Sequence, residues 1–305
     1  MFFMTMYLQH YYFSMKGIHY MEIFFNSTRK FLKRAFSIFF TISTICIGQF
    51  FSIGENRSNE MAPALKCCAI GNISKKEPLV KIKGQQFIYG INGVRFFLPN
   101  YPEDFIQRLI VERHDYFEGD TLRKLDSYIP EDAVILDIGA NIGNHTLYWA
   151  RQNKIKKVYS FEPVKSTFEV LKTNVDLNEF NNKVKLLNIG LSDQKTKAII
   201  EIFHKENIGG THIKDTPDGD MDVDKLDNIE IKENRIDFVK IDVESHEVQV
   251  LNGASETLRK YKPKYVFIES FPDKFAETKK ILENYGYRLT DFPVQDFNYL
   301  FEYKG

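Results

Sequence analysis

Asp242, Glu244, His246 and Glu247 put four ionisable side chains within six residues, directly after the apolar run Ile236 to Ile241. Groups crowded at one strand end can accept a proton from a hydroxyl, and His246 or Asp242 has the chemistry of such a base. Glu269 closes another apolar run, Val266-Phe-Ile-Glu269, and is expected to face the same crevice. Asp242, Glu244 and Glu269 are hard oxygen donors suited to magnesium, although their spacing alone does not define a metal site. A plainer reading competes for Glu244 and Glu247, since carboxylates are favoured beside the N-terminus of a following helix.

A second set of residues lies earlier in the chain. Val134-Ile-Leu-Asp-Ile-Gly-Ala-Asn-Ile-Gly-Asn144 runs from an apolar strand through a small-residue turn into a helix. Gly139 and Gly143 let backbone approach a ligand closely, and Asn141 is a residue type that tolerates positive φ. The next strand, Val158-Tyr-Ser-Phe-Glu162, ends in a carboxylate about nineteen residues after Gly143. An acid at that place in a nucleotide-binding sheet accepts bonds from both ribose hydroxyls. A dinucleotide pattern would need glycine at 141 and 144, where this chain has asparagine.

The elements that must carry these groups alternate. Strands are expected at 134–138, 157–161, 184–189, 236–241 and 265–268, with helices at 145–152, 166–177, 246–261 and 274–285. Such alternation predicts an α/β domain over 130–305 with a mostly parallel sheet covered on both faces. Residues 198–203 look like an extra edge strand, 286–290 and 298–303 like a closing hairpin, and the acidic stretch 215–227 like a solvated loop. Ahead of Pro130, a hairpin at 85–89 and 94–98 and helices at 103–112 and 120–128 form an accessory cap within a linker-and-cap region, 61–129. His145 and Trp149 read as packing residues, and the glycines of Asn207-Ile-Gly-Gly-Thr211 as a polar loop.

Composition narrows the function. Lys plus Arg and Asp plus Glu are both 41, a net charge of zero that disfavours a nucleic-acid partner. Cys46, Cys67 and Cys68 all precede residue 70, so neither disulfides nor thiolate metals hold the later domain. The first sixty residues form a separate hydrophobic segment. Within it, 35–54 is uncharged, follows Arg29, Lys30, Lys33 and Arg34, and has the length of a membrane span diluted by hydroxyl residues. A start at Met15 or Met21 would remove part of it. The expectation is a cytoplasmic domain, with membrane contact through 35–54.

Several stretches together identify a resemblance. Leu136-Asp-Ile-Gly-Ala-Asn-Ile-Gly-Asn-His-Thr146, Phe161-Glu-Pro163, Asn188-Ile-Gly-Leu-Ser-Asp193, Asn207-Ile-Gly-Gly-Thr211, Val239-Lys-Ile-Asp-Val-Glu-Ser-His-Glu247 and Val250-Leu-Asn-Gly-Ala254 resemble the FkbM family of S-adenosylmethionine-dependent methyltransferases. The resemblance spans about residues 85 to 305. It implies a Rossmann-like class I methyltransferase fold, a seven-stranded sheet finishing with one antiparallel strand, and S-adenosylmethionine as donor. It also implies that Asp137, Gly139, Asn141 and Gly143 surround the methionine part, Glu162 the ribose and Asp193 the adenine. The expected reaction is O-methylation of a sugar, glycan or other small acceptor. Asp242, Glu244, His246 and Glu247 would then align the acceptor oxygen and handle its proton. One departure stands out: Ser245 occupies the place of the family's usual glycine, which matters if that position needs positive φ. A non-catalytic cofactor-binding module and a nicotinamide-dependent oxidoreductase are the alternative readings.

Overall fold

The cap begins with an antiparallel ladder of β1 (Val80–Ile82), β2 (Gln86–Ile91) and β3 (Val94–Phe97). Asn92 and Gly93 join β2 to β3 with φ of 50° and 80°, the left-handed pair that a two-residue hairpin turn requires. This is a computed structural model that describes residues 80–82, 86–293 and 297–305. The segment 1–60 with its 35–54 run, the linker to residue 79 and all three cysteines lie outside the described residues. Among the described residues, no helix is long and apolar enough to cross a membrane.

Helix α1 (Phe105–Arg113) starts where the Asp104 carboxylate accepts from the Gln107 N–H at 2.9 Å, an N-cap that satisfies an otherwise orphan donor. Helix α2 (Gly119–Leu125) and a 3₁₀ turn, Asp126–Tyr128, complete the cap. There follow β4 (Ala133–Ile138), α3 (Asn144–Ala150), β5 (Ile155–Phe161), α4 (Lys165–Leu177) and β6 (Val184–Leu187). Next come the short strands β7 (Gly190–Leu191), β8 (Thr196–Ile202), β9 (His212–Asp215) and β10 (Met221–Asp224). The chain closes with β11 (Phe238–Ile241), α5 (Glu247–Asn252), α6 (Ser255–Tyr261), β12 (Tyr265–Glu269), α7 (Pro272–Asn284), β13 (Tyr287–Leu289) and β14 (Asn298–Tyr303).

The main sheet has seven strands in the order β13-β14-β12-β11-β4-β5-β6, and β14 alone runs antiparallel to its neighbours. This is the class I methyltransferase topology. Its strand order reverses between β4 and β11, and such a switch point opens a crevice at the carboxyl ends of the strands. Successive residues of β4 alternate between two cores. Ala133 and Ile135 face the cap, α3 and α4, whereas Val134, Leu136 and Ile138 face α5, α6 and α7. Each fully buried aliphatic side chain contributes about 1.5–3 kcal/mol, so burial on both faces makes β4 the rigid centre of the site.

Three expectations change in detail. The helix expected over 246–261 is two helices that meet at Gly253 and Ala254, and Gly253 packs so tightly that a Cβ there would lie 1.9 Å from the Ser192 carbonyl oxygen. The extra strand near 198–203 is not at the edge of the main sheet but inside a separate one, ordered β7-β10-β8-β9. The acidic stretch 215–227 is correspondingly not a plain solvated loop. It supplies β10, and Asp227 accepts from the Glu256 and Thr257 N–H groups at 3.0 and 2.8 Å at the start of α6.

Candidate active site

The glycine turn after β4 is set by contacts that allow no side chain. Gly139 has φ 77°, and a Cβ on it would sit 1.8 Å from the Asp242 carbonyl oxygen. The turn is thereby pressed against the end of β11. Gly143, at φ 93°, starts α3, where a Cβ would come within 2.7 Å of Leu171 Cδ1. Asn141 takes the left-handed conformation at φ 50° and donates its N–H to Glu162 Oε2 at 3.0 Å. The Val164 N–H donates to Oε1 of the same carboxylate at 2.9 Å. Glu162 is 6% exposed, and burial pushes its pKa up to about 7 against those two amide bonds. Each oxygen keeps a further lone pair for a ligand.

Asn144, where a dinucleotide pattern would have glycine, pins the cap to this turn. Its side chain accepts from the Phe117 N–H at 2.9 Å and donates to the Phe117 carbonyl at 2.8 Å. The loop Asn207 to Thr211 covers the turn, since a Cβ on Gly209 would meet Asn141 Nδ2 at 2.9 Å. The Ile208 N–H donates to Asp104 Oδ2 at 2.9 Å, which fastens that loop to the cap. Reading 207–211 as a plain polar loop misses this close approach. Asp193 stands apart: it is exposed, its backbone lies against Gly253, and its charge acts on His246.

Lys240 was not among the expected site residues, yet it joins both halves of the site. It is 2% exposed in the centre of β11, and its ammonium donates to the Gly139 carbonyl at 2.7 Å. The same nitrogen lies 3.4 Å from Asp137 Oδ1 and 3.4 Å from Asp242 Oδ2. Burial opposes its charge, but Asp242, Asp137 and Glu118 outweigh that and hold it above the usual lysine range. Asp137, 0% exposed, also accepts from Thr146 Oγ1 at 2.6 Å. A signal was available, because lysine in a strand buried on both faces must find a partner.

On the other side of Gly139, one oxygen each of Asp242, Glu244 and Glu269 fall within 4.8 Å of one another. Burial first, then the charges of Asp242 and Glu247, push Glu244 up to about 8. Burial and the charges of Asp242, Glu244 and Glu247 push Glu269 up to about 10. Glu247 is raised to about 7, chiefly by burial, while its Oε1 accepts from the Ser245 N–H at 3.1 Å. Glu247 therefore serves its own helix start and also belongs to the cluster. Glu244 and Ser245 are consecutive left-handed residues, at φ 51° and 76°, so the usual glycine of this motif would occupy a glycine-favouring conformation.

His246 is brought to different partners. It is 7% exposed, with Nε2 at 3.1 Å from Ser192 Oγ and 3.5 Å from Asp215 Oδ1. Burial outweighs the Asp215 and Asp193 charges and lowers its pKa. His145 and Trp149 pack as expected, buried and 5.6 Å apart between ring centroids. His145 Nε2 also lies 3.3 Å from Glu118 Oε2.

The chain is similar to known methyltransferases. A family profile described as the methyltransferase FkbM domain matches residues 137–289. The hexuronic acid methyltransferase AglP of Haloferax volcanii is 31% identical over 170 residues, covering 54% of this chain and 68% of that protein. Methyltransferase sdnD of Sordaria araneosa is 29% identical over 166 residues, covering 42% of this chain and 62% of that protein. A crystal structure of methyltransferase FkbM from Methylobacillus flagellatus aligns with a TM-score of 0.43 at 20% identity, covering 57% of this chain and 44% of the other.

Proposed function

The chain belongs to the FkbM methyltransferase family, and from that premise we propose that it transfers a methyl group from S-adenosylmethionine to a hydroxyl oxygen of a sugar-like acceptor. The observation that carries this reading is the contact between Gly139 and Asp242, because it joins the glycine turn and the carboxylate cluster in one crevice at the switch point.

The residues present fit the donor. Glu162 offers free lone pairs for two ribose hydroxyls, and Asn141 Oδ1 is buried on the turn without a hydrogen-bond partner. Asp137, Gly139, Asn141 and Gly143 would hold the methionine portion, with Lys240 fixing Asp137 and the Gly139 carbonyl. The donor supplies an activated methyl group on a positively charged sulfur. The chain's own task is to align the acceptor oxygen and relieve it of its proton. Asp242 suits the second role, since its side chain is 33% exposed beside Gly139. Glu244 and Glu269, whose carboxyl oxygens gather beside that of Asp242, line the acceptor side of the crevice. His246, held by Ser192 and Asp215, acts as a positioning residue for the segment that carries Glu244.

AglP makes uronic acids the first acceptors to test. Full-chain protein incubated with methyl-labelled S-adenosylmethionine and a panel of free and uronic sugars is expected to yield an O-methyl sugar, identified by mass spectrometry. Cofactor binding without transfer to any hydroxyl in the panel would favour the non-catalytic module. Stabilisation by NAD and not by S-adenosylmethionine would favour the oxidoreductase.

A further inference from the structure

Beyond the cofactor crevice, the densest unexplained chemistry is the acidic cluster at the ends of β11 and β12. Asp242 and Glu244 follow β11, Glu269 ends β12, and one oxygen of each lies within 4.8 Å of the others. A metal–oxygen distance of about 2.4 Å on either side of an ion spans that separation, which is within the range for hard divalent cations.

An independent observation points into the same place. Glu247 is outside this trio and 1% exposed, yet its Oε2 is buried with no hydrogen-bond partner. Its charge bears on both Glu244 and Glu269, so it is directed at the cluster. Glu269 Oε2 is buried as well, and the Glu269 carboxyl meets that of Asp242. Among the described residues, the cationic groups within 4 Å of the cluster are Lys240 and His212. Lys240 is shared with Asp137 and the Gly139 carbonyl, and His212 Nε2 stands 3.9 Å from Glu244 Oε2, beyond hydrogen-bond reach. A buried carboxylate without a partner is costly, and a coordinated cation is one way of retaining it.

We propose that Asp242, Glu244 and Glu269 bind one hard divalent cation of the magnesium, manganese or calcium type, with Glu247 completing the acidic wall behind it. The site itself stands on the carboxylate geometry; its use rests on the methyl-transfer reading. The cation would coordinate adjacent oxygens of the acceptor, orient them toward the donor and lower the pKa of the hydroxyl to be methylated. Three carboxylate ligands leave open positions for two such oxygens and for water.

The test uses the full chain, stripped with EDTA and titrated with Mn²⁺ while free Mn²⁺ is followed by paramagnetic resonance. Saturable binding of one Mn²⁺ per chain is expected, competed by Ca²⁺. Glu269→Gln and Glu244→Gln should each weaken it at least tenfold. Both apo variants should unfold close to the wild-type temperature, because glutamine keeps the shape of the carboxyl it replaces, and Mn²⁺ should raise the unfolding temperature of the wild type but not of the variants. No saturable binding to the wild type up to millimolar Mn²⁺, or equal binding by all three proteins, overturns the site. Neither readout involves a methyl donor. Mn²⁺ binding without methyl transfer therefore contradicts the proposed function alone, and full methyl transfer in EDTA with no Mn²⁺ binding contradicts the site alone.

Discussion

Replacing Ser245 with glycine should stabilise the protein. Ser245 holds φ at 76° immediately after Glu244 at φ 51°. A left-handed conformation costs an L-residue about 1–2 kcal/mol through crowding of its Cβ. Glycine removes that cost but loses about 0.5–1 kcal/mol more chain entropy on folding than alanine does. The difference is a net gain of about 0.5–1 kcal/mol, which for a domain of this size raises the melting temperature by about 1–4 °C. The bond from its N–H to Glu247 Oε1 uses backbone and survives the change. Ser245→Ala is the control, because it keeps the Cβ and should bring no gain. Urea unfolding of the three proteins, checked by calorimetry, measures both differences. Ser245→Gly no more stable than Ser245→Ala would refute the left-handed assignment and the strain argued from it.

Three other perturbations probe the same architecture. Lys240→Met should cost about 3–5 kcal/mol in urea unfolding, because Asp137 at 0% exposure loses its buried cation; a loss below about 1 kcal/mol would show that the pair is not buried as described. Affinity for S-adenosylmethionine should fall as pH drops below about 7, since ribose hydroxyls donate to the ionised Glu162, whose pKa is raised to about 7. That dependence should vanish in Glu162→Gln, and a flat profile from pH 8 to 5.5 in the wild type would contradict it. Gly253→Ala should destabilise by more than about 2 kcal/mol, because its Cβ would meet the Ser192 carbonyl oxygen at 1.9 Å; wild-type stability would mean that Gly253 and Ser192 are not packed as described.

Much of this architecture was legible in the residues because it is local. The run from Val134 to Asn144, with glycines at 139 and 143, encodes strand, turn and helix within one window, and Glu162 ends the next apolar run. The features that were hidden depend on contacts distant in sequence. Gly253 sits within a helical pattern, and its reason is the approach of Ser192, sixty-one residues earlier. The β10 residues Met221-Asp-Val-Asp224 are too short and acidic to read as a strand, and become one by pairing with β7 and β8. Lys240 was hidden by its type, since lysine ordinarily signals solvent. The strand register that sets it opposite Asp137 gives it a partner. His246 shows the same limit: its position after β11 was evident, but its partner Asp215 comes from another sheet.

The most direct measurement is calorimetric titration of S-adenosylmethionine into the full chain and into Glu162→Ala. One site per chain in the wild type is expected, weakened in the variant by about 1–3 kcal/mol for the lost charge-assisted contacts. Equal affinity in both proteins, or no binding to the wild type, would contradict a nucleoside held at the end of β5.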